Sequence, residues 1–396
     1  MDLRLSTEHQ AFRQTVTAFL VANKAQWPDA GLPMRHSRRL AWQKLLIENG
    51  YAARTIPAEY GGYGAQPDIL KSRLIAESFA LTGAPPPIAS QGISMFVPTL
   101  LEKGSEAQKR EWIGPTLRSE VIWCQGYSEP GSGSDLASLR TSARIDGDDY
   151  VINGQKIWTS TAQHADMIFC LVRTESDVPK HQGISYLIFS MKTPGIEIRP
   201  LVDMTGAPNF NELFFTDVRV PRENIVGAPG QGWSVANATL KHERGMLGDP
   251  NAAKSRLLSI VELMKVETRD GERMIDNPVF RDRLVALQAE VYAMQANGLR
   301  VTTSSLKGEP SGMAGLIVKL QGCELNHQLA GLAIDVMGEL GLLYGDSPRI
   351  RDRGSWQWRF MFDLGLIIGG GTAQIQKNII AEHGLGMPRE PKSVAA

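Results

Sequence analysis

The chain has 396 residues, 42 % hydrophobic and 21 % charged, with 42 basic and 42 acidic side chains and no net charge. That length suits two or three domains with buried cores, and a balanced surface without basic runs offers no electrostatic footing for nucleic acid. No apolar run approaches the ~20 residues of a bilayer-spanning helix.

The opening Met1-Asp2-Leu3-Arg4 is polar, unlike a signal or transit peptide. Cys124, Cys170 and Cys323 are scattered and odd in number, so reduced thiols in a cytoplasmic setting are expected, with no disulfide framework and no zinc spacing. Thr7-Glu8-His9-Gln10 predicts a capping box, and Phe12, Val16, Phe19 and Leu20 follow at helical spacing. Trp42, Leu45 and Leu46 continue the pattern to Gly50. Ile56-Pro57-Ala58-Glu59-Tyr60-Gly61-Gly62-Tyr63-Gly64 reads as a loop. Pro67 suits the first turn of the next helix, through Ile69, Leu70, Leu74 and Ile75. Further helices are expected over 95–101 and 108–117, which makes 1–120 a helical domain.

The periodicity changes at Val121. Gln125-Gly126-Tyr127-Ser128-Glu129-Pro130-Gly131-Ser132-Gly133-Ser134-Asp135 is a Gly/Ser-rich loop. Ser128 offers a hydroxyl donor and acceptor. Gly131 and Gly133 are expected to turn the backbone sharply and bring it close to a ligand, and successive N–H groups there can cradle a phosphate. The same composition also suits an ordinary surface loop. Tyr150-Val151-Ile152, Asn153-Gly154 and Lys156-Ile157-Trp158 read as a hairpin about an Asn-Gly turn. Strands are expected over 167–172, 185–190, 196–199 and 212–220, punctuated by Asp146-Gly147 and Pro194-Gly195. They predict a small barrel or sandwich within a β-domain over 121–229. Helical patterning returns near Trp233 and fills 230–396. No Gly-x-Gly-x-x-Gly follows a strand, and a P-loop lysine, a Gly-x-Ser-x-Gly elbow and a metal-ligand cluster are all absent from the sequence.

Several stretches, in this order, resemble segments of the acyl-CoA dehydrogenase superfamily. Pro57 to Gly64 is similar to its Pro-x-Glu-Tyr-Gly-Gly-x-Gly element. Ser128-Glu129-Pro130 with Gly133-Ser134-Asp135 resembles its loop signature, and Asn153-Gly154-Gln155-Lys156-Ile157-Trp158 its Asn-Gly-x-Lys-x-Trp segment. Asn211 to Pro221 matches the strand that closes the family's β-domain. Leu240-Lys241-His242-Glu243-Arg244-Gly245 resembles the helix beside its acyl pocket, and Gly369-Gly370-Gly371-Thr372-Ala373-Gln374-Ile375-Gln376 its Tyr-Glu-Gly-Thr-x-x-Ile-Gln segment.

The resemblance implies an α+β fold: an N-terminal helical domain, a central β-barrel or sandwich, and a C-terminal four-helix bundle, with FAD at their junction. By the same resemblance Gln125, Tyr127, Ser128, Gly133 and Ser134 line the cofactor. Trp158 covers the flavin, which an indole can shield from water, and Ser160 meets the ring's polar edge. Gly338 belongs to a flavin-contacting helix end, and Thr372 and Gln374 match residues at the adenosine end. Most relatives carry their catalytic base as the Glu of Tyr-Glu-Gly-Thr, where this chain has Gly370. A subset places it where Glu243 stands. Glu243 is thus the expected base, Arg244 orders the pocket, and the Gly370 N–H donates to the substrate carbonyl. An exposed helix glutamate is the ordinary reading of Glu243 from residue type alone.

The implied reaction is α,β-dehydrogenation of an acyl-CoA to the 2-enoyl-CoA, with electron-transfer flavoprotein as acceptor. The base on the Glu243 helix goes, in relatives, with branched, long or bulky ring-bearing acyl groups, and Gly370 removes bulk at the pocket floor, which is compatible with a wide substrate, dicarboxylic or steroid-like acyl-CoAs included. Asp335 replaces a common Gln, and Arg-x-x-Phe-Gly is not recognisable over 277–284. Two alternatives therefore stand beside a homotetrameric dehydrogenase. One is other flavin chemistry on the same fold (desulfinase, monooxygenase or oxidase). The other is one subunit of an α2β2 heterotetramer.

Overall fold

Helix α1 (Thr7–Ala22) is capped by Ser6, whose hydroxyl accepts from the His9 amide at 3.2 Å. The capping box expected at Thr7 and Gln10 does not form, because Thr7 is already helical and the Gln10 side chain reaches back to the Leu5 carbonyl. The box occurs instead at α5, between Ser105 and Gln108. The computed structural model describes residues 5–246 and 248–389, and the side chains of residues 244–246 lie outside that description. After α1 come α2 (Ser37–Glu48), α3 (Ile69–Thr82), α4 (Val97–Lys103) and α5 (Glu106–Leu117). Pro67 falls before α3 rather than inside its first turn. Asp68 is the cap there, accepting from the Lys71 amide at 2.9 Å.

Seven strands follow: β1 (Trp123–Gly126), β2 (Ser142–Asp146), β3 (Asp149–Lys156), β4 (Met167–Arg173), β5 (Ile184–Ser190), β6 (Ile196–Leu201) and β7 (Phe210–Pro221). They form one curled sheet in the order β1-β4-β2-β3-β7-β6, with β5 also paired to β4. Asn153-Gly154 is not the hairpin turn. Asp146 pairs with Asp149, so the chain reverses at Gly147, and β3 runs straight through Asn153 and Gly154. There the register against β7 slips by a bulge. Gly154 is required because a Cβ would lie 2.6 Å from the Thr141 Cα. Asn153 exchanges two hydrogen bonds with Asp217 across the bulge. An Asn-Gly pair is favoured at both kinds of site, so the dipeptide alone does not separate them.

The chain divides into two compact units, the first comprising residues up to Leu201 with Pro208–His242. Its core joins the early helices to the sheet and to the start of α6 (Gly232–Met246): Val16, Leu20, Leu46, Phe96, Phe169 and Val235 are among its buried members. The second unit holds Val202–Ala207 and the chain from Glu243 onward, so the division falls inside α6. It contains α7 (Pro250–Val266), a hairpin of β8 (Thr268–Arg269) and β9 (Glu272–Arg273), α8 (Pro278–Leu306), α9 (Gly312–Met337), α10 (Ser355–Ile368) and α11 (Ala373–Ile379). Helices α7 to α10 are the expected bundle. Helix α9 is apolar around most of its circumference, as an enclosed helix must be, and buries Leu325, Leu329, Leu332, Ala333 and Val336. The buried Asp363 of α10 receives Arg256 of α7 at 2.5 Å.

Candidate active site

In the first unit, β1 delivers Tyr127, Ser128 and Glu129 into the Gly/Ser loop. Glu129 is the loop's anchor. Its buried carboxylate accepts from the Arg140 and Thr141 amides at 2.6 and 2.9 Å and from the Lys156 ammonium at 2.8 Å. Lys156 also donates to the Tyr127 carbonyl at 3.0 Å. Burial pushes the Glu129 carboxyl up, but Lys156, Thr141 and Arg140 together outweigh it and hold it below the usual carboxylate value. The Tyr127 ring belongs to the core, edge-on to Phe169 and Tyr186. Gln125 and Ser128 are half-buried, whereas Gly133 and Ser134 are exposed. Neither Gly131 nor Gly133 has a positive φ, and a Cβ at either would meet nothing within 4 Å. Pro130-Gly131 makes the expected sharp reversal, in which Glu129 and Ser132 exchange two backbone hydrogen bonds at 3.0 Å, but it does so without a left-handed φ. Gly131 and Gly133 leave an open face, and the chain's own packing does not demand them.

The Ser128 carbonyl accepts from the Ile157 amide at 2.9 Å, which ties this loop to the end of β3. Directly after comes Trp158, held at φ +60°, 59 % exposed, with the edge of Phe210 against it at 5.9 Å. A left-handed tryptophan that leaves its indole in the open is unusual on both counts. Thr159 is fixed through its backbone by Asn211, at 3.1 and 2.9 Å. Its hydroxyl is buried without a hydrogen-bond partner. Ser160 is half-buried and its hydroxyl has no partner among the described residues. An exposed ring platform, an orphaned hydroxyl beside it and an open glycine face are together what a flat, polar-edged cofactor requires, so these residues fit a flavin. The hydroxyls of Thr159 and Ser160 thus both lie unpaired among the described residues, directly after Trp158.

The second unit carries the other cluster. Gly370 and Gly371 have φ of +65° and +91° and form the turn between α10 and α11. The Thr372 hydroxyl caps α11, accepting from the Ile375 amide at 3.2 Å. Gln374 is exposed on that helix. Buried Gln376 reaches back to the Gly370 carbonyl at 3.1 Å. Lys319 of α9, only 3 % exposed, donates to the carbonyls of Gly371 at 2.6 Å and Ile367 at 3.1 Å. Burial pulls Lys319 below the ordinary lysine value, while the negative charges of Glu243 and Glu324, with Cys323, act the other way. Glu243 is thus within electrostatic reach of an ammonium bonded to the Gly371 carbonyl. Arg244 falls among the residues whose side chains are not described.

Gly338 ends α9 at φ +57°. Nearby, Asp335 is held by Arg283 at 2.6 Å through its carboxylate and by Arg269 at 3.2 Å through its carbonyl. His242 is paired with Glu102 at 3.0 Å. A separate groove of about 1200 Å³, lined by Arg256, Arg351 and Arg359 among others, contains none of the residues singled out above. Among the described residues, no group of three His, Cys, Asp or Glu side chains could hold a metal, and no helix is long and apolar enough to cross a membrane.

Three family models match the chain in succession: acyl-CoA dehydrogenase N-terminal domain over 6–120, middle domain over 124–218 and C-terminal domain over 230–385. The chain belongs to the acyl-CoA dehydrogenase family. It is an oxidoreductase of that type. Acyl-CoA dehydrogenase IpdE1 of Mycobacterium tuberculosis is 38 % identical over 359 residues, covering 89 % of each chain. The ChsE4-ChsE5 complex of the same organism superposes with a TM-score of 0.81 at 30 % identity, over 98 % of this chain and 100 % of the other. The Tcur3481-Tcur3483 steroid acyl-CoA dehydrogenase gives 0.82 at 27 % identity, over 98 % and 100 %. Two residues that sequence reasoning left unassigned, Lys156 and Lys319, are buried lysines that hold the two loops. The available sign for Lys319 was a lone lysine amid apolar neighbours, Leu316, Ile317, Val318 and Leu320.

Proposed function

We propose that the chain removes the α-proton of an acyl-CoA thioester with Glu243 and so initiates α,β-dehydrogenation to the 2-enoyl-CoA. The observation that supports this is that Glu243 lies within electrostatic reach of Lys319, whose ammonium is bonded to the Gly371 carbonyl. A thioester α-proton is a weak acid. Its removal needs a positioned base and a donor for the developing enolate oxygen. Gly370 supplies its N–H for that purpose whatever its side chain. Its left-handed φ is one glycine adopts at no steric cost, consistent with the carboxylate standing elsewhere. Arg244 serves to order the pocket.

FAD is the cofactor in this reading, as in a family of flavoproteins. Trp158 would cover its ring, Thr159 and Ser160 would meet its polar edge, and Gln125, Ser128, Gly133 and Ser134 would line it, with Tyr127 supporting the loop from the core. When bound, it supplies the acceptor for the β-hydride. Thr372 and Gln374 would contact the adenosine end, and Gly338 belongs to a flavin-contacting helix end that in relatives a neighbouring subunit supplies; the Thr372 hydroxyl accepts in its helix cap and keeps its O–H to donate. Electron-transfer flavoprotein is the acceptor and the cytoplasm the setting.

The substrate class favoured is a ring-bearing or branched acyl-CoA, since one structural neighbour is a steroid acyl-CoA dehydrogenase. Assembly with a second, different subunit is favoured over a homotetramer on two observations. Both structural neighbours named above are two-component assemblies. Asp335, at a family flavin contact, is engaged internally by Arg283. Helix α10 also exposes Trp358, Phe360, Leu364 and Ile368, a face suited to a partner. Light scattering with flavin counting tests the assembly: a tetramer of this chain alone, with one FAD per chain, overturns the mixed form. The base is tested by Glu243→Gln, which should lower kcat about 10²–10⁴-fold with flavin retained. An unchanged kcat would remove the assignment.

A further inference from the structure

Helix α9 carries one lysine along its buried length, and that lysine is almost fully enclosed. An enclosed ammonium costs several kcal/mol unless it is bonded and charge-compensated. Lys319 is both. Its two acceptors are chosen from one place: Ile367 lies in the last turn of α10, where unpaired carbonyls and the helix dipole favour a cation, and Gly371 closes the turn that follows. The three consecutive glycines there have more backbone freedom than any other tripeptide. Lys319 and Gln376 are the two buried side chains that fix them, through the Gly371 and Gly370 carbonyls respectively. The charge of Glu243 acts on the same ammonium, and that attraction is mutual.

Resting on the dehydrogenase reading above, we propose that Lys319 is a positioning residue of the reaction. It pins the Gly369–Gly371 turn so that the Gly370 N–H is aimed at the thioester oxygen, and its charge lies within electrostatic reach of the Glu243 carboxylate. It touches neither substrate nor cofactor in this account. Among the described residues, the ionisable groups facing it are Glu243 of α6 and Cys323 and Glu324 of α9 itself. Helix α10 and the turn contribute only carbonyls, and α11 the neutral Gln376.

The step to follow is α-hydrogen exchange. Glu243 takes the α-proton, and its conjugate acid, re-equilibrated with D2O, returns a deuteron. Holoenzyme reduced beforehand accepts no hydride and therefore isolates this step. Octanoyl-, isovaleryl- and cyclohexylacetyl-CoA serve as probes, with exchange read by NMR between pH 5 and 9. Wild type should exchange at least one probe, at a rate rising with pH as the base ionises. Lys319→Gln keeps a donor and loses the charge. Its acid limb should move to higher pH by about one unit, because losing a neighbouring cation favours the protonated carboxyl. Lys319→Arg keeps the charge and should hold the limb in place. Lys319→Met loses both charge and donor; it should shift the limb equally and lower the plateau further, and if it does not fold, the Gln and Arg pair decides. Gln and Arg variants that both keep the wild-type limb and plateau overturn the proposal alone. Wild type and Glu243→Gln that behave identically, whether both exchange or neither does, overturn the underlying reading and the proposal with it.

Discussion

Two glycine-rich turns, one in each unit, are built on opposite terms. In the Gly369–Gly371 turn the conformation demands glycine. Gly370 and Gly371 have positive φ, and a Cβ on Gly371 would stand 2.6 Å from the Gln376 amide nitrogen. In the Ser128–Ser134 loop the chain demands nothing of Gly131 and Gly133, which have ordinary φ and open space where a Cβ would go. A glycine explained by its own chain needs no ligand. The pair beside an exposed Trp158 and a buried, unpaired Thr159 hydroxyl leaves open space on the loop's outer face, as the proposed flavin site requires. Each turn is nevertheless held by a buried lysine, Lys156 in one unit and Lys319 in the other.

That contrast can be broken or sharpened by mutation. The largest effect belongs to Lys156→Met, which strands the buried Glu129 carboxylate. It should cost about 3–5 kcal/mol in denaturant unfolding; a loss under about 1 kcal/mol would mean the pair does not anchor the loop. The same pair gives a pH signature. Because the folded-state value of Glu129 lies below its ordinary 4.5, its contribution is present above that pH and disappears as the pH falls through the lower folded value. Glu129→Gln should flatten that part of the acid-unfolding curve. Next comes Gly371→Ala, which forces a side chain into a positive-φ position and onto Gln376, at about 1–3 kcal/mol and with reduced activity. Smallest in stability is Gly131→Ala, expected within about 0.5 kcal/mol of wild type, yet releasing flavin several-fold more readily on dilution. Equal effects of the two glycine substitutions on stability would erase the distinction between the turns.

The division between what was legible in the sequence and what was not follows the same physics. Helices and strands came from periodicity, and the curled sheet and bundle stand where the apolar spacing put them. The errors cluster at short signals with two uses. Asn153-Gly154 suits a turn and a bulge alike, and only the Thr141 backbone against Gly154 separates them. Thr7 and Ser6 are both good caps, and one residue decides between them. Motif resemblance pointed to Glu243 and Gly370, whereas no motif pointed to the enclosure of Lys319. A lysine is normally solvated, and its burial depends on helices far apart in the chain.

The most direct test is an anaerobic titration of the flavin-loaded protein, in its native assembly, with a panel of straight, branched and ring-bearing acyl-CoAs, following flavin absorbance. The account predicts that at least one thioester bleaches the oxidised band in the wild type, and that Glu243→Gln with its flavin retained is not bleached by it. Bleaching of Glu243→Gln at the wild-type rate and extent would contradict it and place the base elsewhere.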